Sequence, residues 1–326
     1  PPLLGLAGLD VPLTGTLSGV AFPVSSPDGL EALYLEFVSE DLALEEELFN
    51  AGFSRGGLRL GGFLFPPRRG TGLSMFLEEV TASVEGLTVD GKRPGPALQP
   101  LGLSGSLWFD TLSDNADWAL DARDHPESVR IRAQGTLSGL MSGPLHTTTT
   151  VRAECPDLAR LAGALAKSGS LPGGLELEGG VIATGKVTGS IESMGLEGTI
   201  HSSGLKVGSG RLPKTPVRVD GRLSGSFQKG SVQALRLETS RFILGDIATP
   251  KASLAYGTGG VTGTVTIDSI DPQRLVSLLG PLLPQHLSAY QWGGTVALSG
   301  NARMGNQRGA PIRGNFATTL RNGQFA

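Results

Sequence analysis

Residues 175–191 read LELEGGVIATGKVTGSI, and every odd position is apolar or glycine: Leu175, Leu177, Gly179, Val181, Ala183, Gly185, Val187, Gly189 and Ile191. The even positions are polar apart from Gly180 and Ile182. Successive side chains on a strand point to opposite faces, so this is one ribbon with a single apolar side. A two-residue turn at Gly179-Gly180 would set Glu178 opposite Val181 on one face and scramble that pattern. The unbroken parity therefore predicts a continuous strand, far longer than the usual ~5–6 residues.

The rest of the chain repeats this idiom. Alternation predicts strands from Val11 to Gly19, Leu33 to Val38, Gly56 to Gly62, Leu73 to Val89, Leu101 to Phe109, Val129 to Gly139 and Leu145 to Ala153. Beyond the ribbon it resumes from Leu196 to Ile200, then over Val217–Phe227, Val232–Leu244, Ala252–Tyr256, Val261–Ile267, Gly293–Met304 and Ile312–Leu320. Gly91–Pro100 reads as a Pro/Gly loop and Asp110–Asp117 as a polar turn region. With 49 Gly among 326 residues, no Gly-X-Y period and this strand pattern, the composition points to an all-β protein.

Three stretches carry helical signals. Asp41 reads as an N-cap before Leu42, Leu44, Leu48 and Phe49, with Gly52 as the stop. Pro156–Ser168 places Leu158, Leu161, Ala162 and Leu165 at i, i+3, i+4 and i+7. Asp271 precedes Pro272 at the first helical position, with Leu275, Leu278 and Leu279 as the stripe. The helix starts at Asp41, Asp157 and Asp271 are 116 and 114 residues apart, and each is followed by a Gly-Gly and an alternating strand. A smaller Leu-Ser-Gly tile recurs at Leu17, Leu103, Leu137, Leu223 and Leu298. Repetition at a fixed period implies modules sharing one core. The expected organisation is a partial module over 1–40, repeat modules over 41–156 and 157–270, and a partial module over 271–326.

Chemistry is sparse. His125, His146, His201 and His286 have no metal-ligand spacing, and Glu45–Glu47 reads as a solvated face. The serine of Leu-Ser-Gly lies in strand phase rather than on a nucleophile elbow. Gly208–Thr215 lacks the second glycine of a phosphate loop, because Pro213 stands there. No catalytic residue, metal ligand or cofactor is expected, and the reading is of a non-enzyme. A net charge of −3 without a basic stripe gives nucleic acid no footprint. Cys155, the single cysteine, reads as a small buried or half-buried side chain. No run of ~18 apolar residues would cross a bilayer as a helix. The opening Pro1-Pro2, without Met, suggests a fragment of a longer protein.

Two features argue against an ordinary sandwich. Aromatic content is only 6%, low for a two-sheet core. Glycine also recurs on the apolar face, at 179, 185, 189, 221, 225, 263, 300 and 314, where it leaves a groove shallow or marks a close approach. The expected architecture is all-β with a few short helices: an elongated, curled antiparallel sheet forming an open hydrophobic groove, built from repeats of about 115 residues. The groove would be lined by Leu175, Leu177, Val181, Val187, Ile191, Val217, Val219, Leu223, Phe227, Val265, Ile267, Val296, Leu298 and Phe316.

The Asp-(Pro)-x-x-Leu helix starts, Gly-Gly turns, long Gly/Leu/Thr ribbons and closing Leu320-Arg-Asn-Gly323 resemble the AsmA-like proteins of bacterial envelopes. Those are relatives of the TamB-like and repeating-β-groove lipid-transfer proteins. The resemblance covers the chain from about residue 40 onward. It implies a periplasmic gutter of antiparallel sheet, tethered to the inner membrane by a segment absent from this chain. Its partners would be phospholipid or another acyl lipid, and envelope proteins; its function, lipid transport between inner and outer membranes. The alternative is a structural or assembly protein of the envelope, either a factor in outer-membrane protein biogenesis or a β-solenoid scaffold. A glycan-binding β-domain would want exposed Trp and Tyr platforms, and with three of each these are scarce.

Overall fold

The computed structural model describes residues 13–26, 29–44, 51–65, 73–85, 88–89, 101–124, 129–167, 175–190, 192–209, 212–228, 231–245, 251–257, 259–279, 290–305 and 313–325. The fold is all-β with two short helices among these residues. The strands are β1 (Leu13–Thr14), β2 (Ser18–Ser26), β3 (Gly29–Leu44), β4 (Ala51–Phe65), β5 (Ser74–Glu85), β6 (Thr88–Val89), β7 (Leu101–Asp110), β8 (Asn115–Asp124), β9 (Arg130–Ser138) and β10 (His146–Cys155). Helix α1 (Leu158–Lys167) precedes β11 (Leu175–Ser190), β12 (Ser193–Ser209), β13 (Leu212–Gln228), β14 (Ser231–Leu244), β15 (Lys251–Gly257) and β16 (Gly260–Ile270). Helix α2 (Pro272–Leu279) then leads to β17 (Trp292–Met304) and β18 (Arg313–Phe325).

The chain forms two compact units. The first comprises residues 1–153 with 185–195 and 227–231; the second comprises 154–184, 196–226 and 232–326. In the first, β2 through β5 pair in succession, β5 skips to β7, and β7, β8 and β9 continue, all antiparallel. In the second, β14 to β18 pair antiparallel in chain order.

The long ribbon is a single strand. β11 runs through Gly179-Gly180 without a turn, with Gly179 at φ +88° against the backbone of Gly204 on β12. Two helical readings also hold. The Asp157 carboxylate accepts the Arg160 N–H at 3.2 Å at the start of α1, whose Ala162 is buried. Asp271 accepts the Gln273 N–H at 2.9 Å at the start of α2, and the Gln273 side chain then accepts the Trp292 N–H at 2.8 Å, tying α2 to β17.

The helix read at Asp41 is corrected. Residues 41–44 are the end of β3, where Ser39, Leu42 and Leu44 pair with Leu58, Gly56 and Phe53 of β4. Asp41 lies within the strand, and its carboxylate accepts the N–H and hydroxyl of Thr16 at 2.9 and 2.8 Å. Leu42 and Leu44 fit either period, and the neighbouring β4 strand supplies backbone partners that a helix there would forgo. Residues 45–50 lie outside the described residues. The turn read over Asp110–Asp117 is also too long. Thr111–Asp114 makes the turn, with Asp110 accepting the Leu112 N–H at 3.1 Å, and β8 begins at Asn115. The Gly91–Pro100 loop lies outside the described residues.

Burial follows the pleat. On β13, Val217, Val219, Gly221, Leu223, Gly225 and Phe227 are each less exposed than the residues flanking them, apart from half-buried Asp220. The less exposed residues are mostly half-buried rather than sealed. Among the described residues, buried apolar side chains are few: Ala32, Leu42, Leu77, Val84, Ala116 and Ala122 in the first unit, and Ala162, Val217 and Ile270 in the second.

Candidate functional site

Register builds an apolar face in the second unit from alternate residues. Leu237 stands opposite Leu254, Leu254 opposite Gly263, Gly263 opposite Ala302, and Ala302 opposite Gly314. The next row runs Ala252, Val265, Gly300, Phe316 across β15 to β18. Thr239 extends it on β14, exchanging hydrogen bonds of 2.9 Å with the Ala252 backbone. A depression of about 340 Å³ lies on these rows, lined by Val219, Leu237, Phe242, Ala252, Val265 and Phe316 among others, and its walls are almost wholly apolar. Leu254 is 48% exposed and Phe316 63% exposed. Among the described residues, this face therefore leaves large apolar side chains exposed.

Glycine on this face is not simply a gap. A Cβ at Gly221 would come 2.9 Å from Leu237 Cδ1, and one at Gly225 would come 3.1 Å from Leu235 Cδ1. Gly300 lies beneath the Phe316 ring in the same way. Gly221, Gly225 and Gly300 each seat a large side chain leaning across from the adjacent strand, and Gly314 lies beside the Phe316 ring on its own strand. Of the two roles expected for glycine on this face, these three positions take the close approach: the missing side chain lets a neighbour pack down, as with an aromatic set over a strand glycine.

The fourteen residues read from sequence are distributed unevenly. Val219, Val265 and Phe316 line the depression together. Ile267 and Leu298 pair directly in the following row, and Val296 pairs with Ile270 beyond it. Val217 is buried near the start of β13 and Leu223 is half-buried on the same strand. Leu175 begins β11, with half-buried Leu177 and Val181 further along it. Val187 and Phe227, both half-buried, fall in the first unit, and Ile191 lies outside the described residues. Sequence reasoning missed Leu237, Ala252 and Leu254, although the alternation of β14 and β15 carried the signal.

It also missed the first unit. There Phe37, Leu60, Val80, Gly105, Leu120 and Ala133 form one cross-strand row, and Leu35, Gly62, Leu77, Leu107, Trp118 and Gly135 the next. Strand β8 supplies Ala116, Trp118, Leu120 and Ala122 to this face, an alternation present in NADWALDARD.

The opposite faces are charged. Glu178 lies between Lys206, at 3.2 Å, and Lys214, which also reaches Glu176 at 3.5 Å. The hydrogen bond from Lys214, then that from Lys206, holds the Glu178 carboxyl below its usual range, and Glu178 raises Lys214. Asp220 is lowered by His201 and then by Arg218, whose Nε lies at 3.1 Å. In the first unit Asp121 sits among Arg130, Arg132 and Arg123 and is lowered chiefly by the Arg130 hydrogen bond. These exposed pairs contribute little stability singly, but they fix which face stays in water. Cys155 is half-buried at the end of β10. Among the described residues no group of three or more His, Cys, Asp or Glu could hold a metal ion. No described helix is long and apolar enough to cross a membrane.

No protein-family model, curated protein or solved structure matches this chain.

Proposed function

We propose that the chain is a non-enzymatic lipid carrier of the bacterial envelope, akin to the AsmA-like proteins, and that its apolar sheet face is a groove for acyl chains. The observation that carries this reading is the half-exposed row Thr239, Ala252, Val265, Gly300, Phe316, with Leu237 and Leu254 beside it. Each methylene buried there is worth about 0.8 kcal/mol, so an acyl chain needs no polar clamp. The same non-directional attraction lets the chain slide from row to row while headgroups stay in water. Envelope placement rests on the resemblance: a periplasmic gutter, held to the inner membrane by a segment outside this chain, passing phospholipid towards the outer membrane. The Asp-capped starts of α1 and α2, 114 residues apart, support modules beginning at residues 157 and 271.

The test is organic extraction and mass spectrometry of lipid carried by detergent-free protein. Bound phospholipid near one per chain is expected. A lipid-free monomer would mean that Leu237, Leu235 and Phe316, seated over glycines, already satisfy the face. The structural or assembly reading would then take its place.

A further inference from the structure

The first unit carries an aromatic strip on its polar face, and lipid transport gives it no role. Register places Phe22 opposite Tyr34, Tyr34 opposite Phe63, Phe63 opposite Phe76, and Phe76 opposite Trp108, a ladder across five strands. Ring centroids lie 5.3 Å apart for Tyr34–Phe63 and 5.7 Å for Phe76–Trp108, and Phe65 bridges to Trp108 at 6.0 Å. By the pleat this is the face of Glu36, Arg59, Ser106 and Asp121, opposite the leucine rows. Phe22 is 54% exposed and Trp108 42% exposed, so the strip is no core.

The ladder continues into polar residues. Trp108 stands opposite Asp117, and Asp117 opposite Thr136. A depression of about 450 Å³ opens there, walled by Phe76 and Trp108 and floored by Asp117, Gln134, Thr136 and Thr148. It adjoins a second depression of about 710 Å³, with which it shares Ser106, Gln134 and Thr150. Both volumes fall in the ~300–1,000 Å³ range of small-molecule sites.

We propose that this strip and its polar floor form a binding site for a neutral oligosaccharide, on the face opposite the apolar rows. A pyranose ring has one face of C–H bonds and a rim of hydroxyls. The indole of Trp108 and the ring of Phe76 meet the first; the Asp117 carboxylate, the Gln134 amide and the threonine hydroxyls meet the second. A lipid tail would instead strip water from those polar groups without returning a hydrogen bond. The smaller depression holds Asp117 and no lysine or arginine, and the adjoining one sets Glu78, Glu79 and Asp121 beside Arg132 and Arg152, so carboxylates outnumber cations across the two, which selects against an anionic sugar. The adjoining depression gives room for a chain of several sugar rings.

The test titrates the whole protein with cellotetraose and with chitotetraose, followed by calorimetry and tryptophan fluorescence. Saturable binding of at least one is expected. Trp108→Ala should weaken it about three- to tenfold, the worth of one ring contact, and Asp117→Asn should weaken it as well. Trp108→Phe keeps a ring and should restore most of the affinity, which separates stacking from a folding defect. Binding of neither sugar up to ~10 mM, or binding indifferent to Trp108→Ala and Asp117→Asn, overturns the proposal. So does Trp108-dependent partition into phosphatidylcholine vesicles without sugar binding, which would make the strip a membrane-interface belt.

Discussion

Val265→Glu places a carboxylate at the centre of the proposed acyl groove. Val265 stands between Ala252 and Gly300, with Phe316 one strand further on. Neighbouring strands are about 4.8 Å apart, so an acyl chain crossing one strand spacing lays down roughly four methylenes. On an open face only one side of the chain is covered, which halves the ~0.8 kcal/mol available to each methylene. Four half-covered methylenes then contribute about 1.5–2 kcal/mol, and losing them weakens binding roughly 10- to 30-fold. Thr262→Glu is the control, exposed on the opposite face and paired with Arg303. The assay is displacement of a fluorescent fatty acid, together with lipid retained through purification. Fold is checked by far-ultraviolet circular dichroism. Equal lipid affinity of Val265→Glu and Thr262→Glu would refute the groove.

Asp157→Ala should cost about 1 kcal/mol in thermal or urea unfolding, the usual loss for an N-cap, because Asp157 satisfies the Arg160 N–H. Gly294→Ala should destabilise by about 1–3 kcal/mol, since Gly294 has φ +100° and a Cβ there would lie 2.6 Å from the carbonyl oxygens of Arg321 and Asn322; an unchanged melting temperature would contradict this. Stability should hold above the ordinary Glu value of 4.5 and fall as pH drops through the lowered pKa of Glu178. At the other end, Lys214 is raised above 10.5, so its contribution is full below that value and lost as pH rises through the raised pKa. Glu178→Gln should therefore flatten both limbs of a melting-temperature profile, and an unaltered profile would refute the linkage.

The parity of residues 175–191 was enough to choose an unbroken strand over a hairpin at Gly179-Gly180, because a turn would have mixed polar and apolar side chains on one face. Caps at Asp157 and Asp271 were equally legible, since a carboxylate before a stripe at i, i+3, i+4 satisfies local N–H groups wherever the helix docks. At Asp41 the same signal misled, because Leu42 and Leu44 fit both periods and Gly56 and Phe53 of β4 settled the outcome from outside the window. The start of the segment 115–124 reads as part of a polar turn over Asp110–Asp117, yet Ala116, Trp118, Leu120 and Ala122 alternate onto the apolar face.

By itself the sequence determined an all-β protein and, strand by strand, which side chains share a face, because the pleat has a period of two that any window reveals. Only the tertiary structure decided which strands lie side by side and in what register. That is why Val219, Val265 and Phe316, far apart in the chain, line one depression. It also set Leu237 over Gly221 and Phe316 over Gly300, and drew five scattered aromatic residues into one ladder. Register is fixed by pairing between distant segments, and no local pattern contains it.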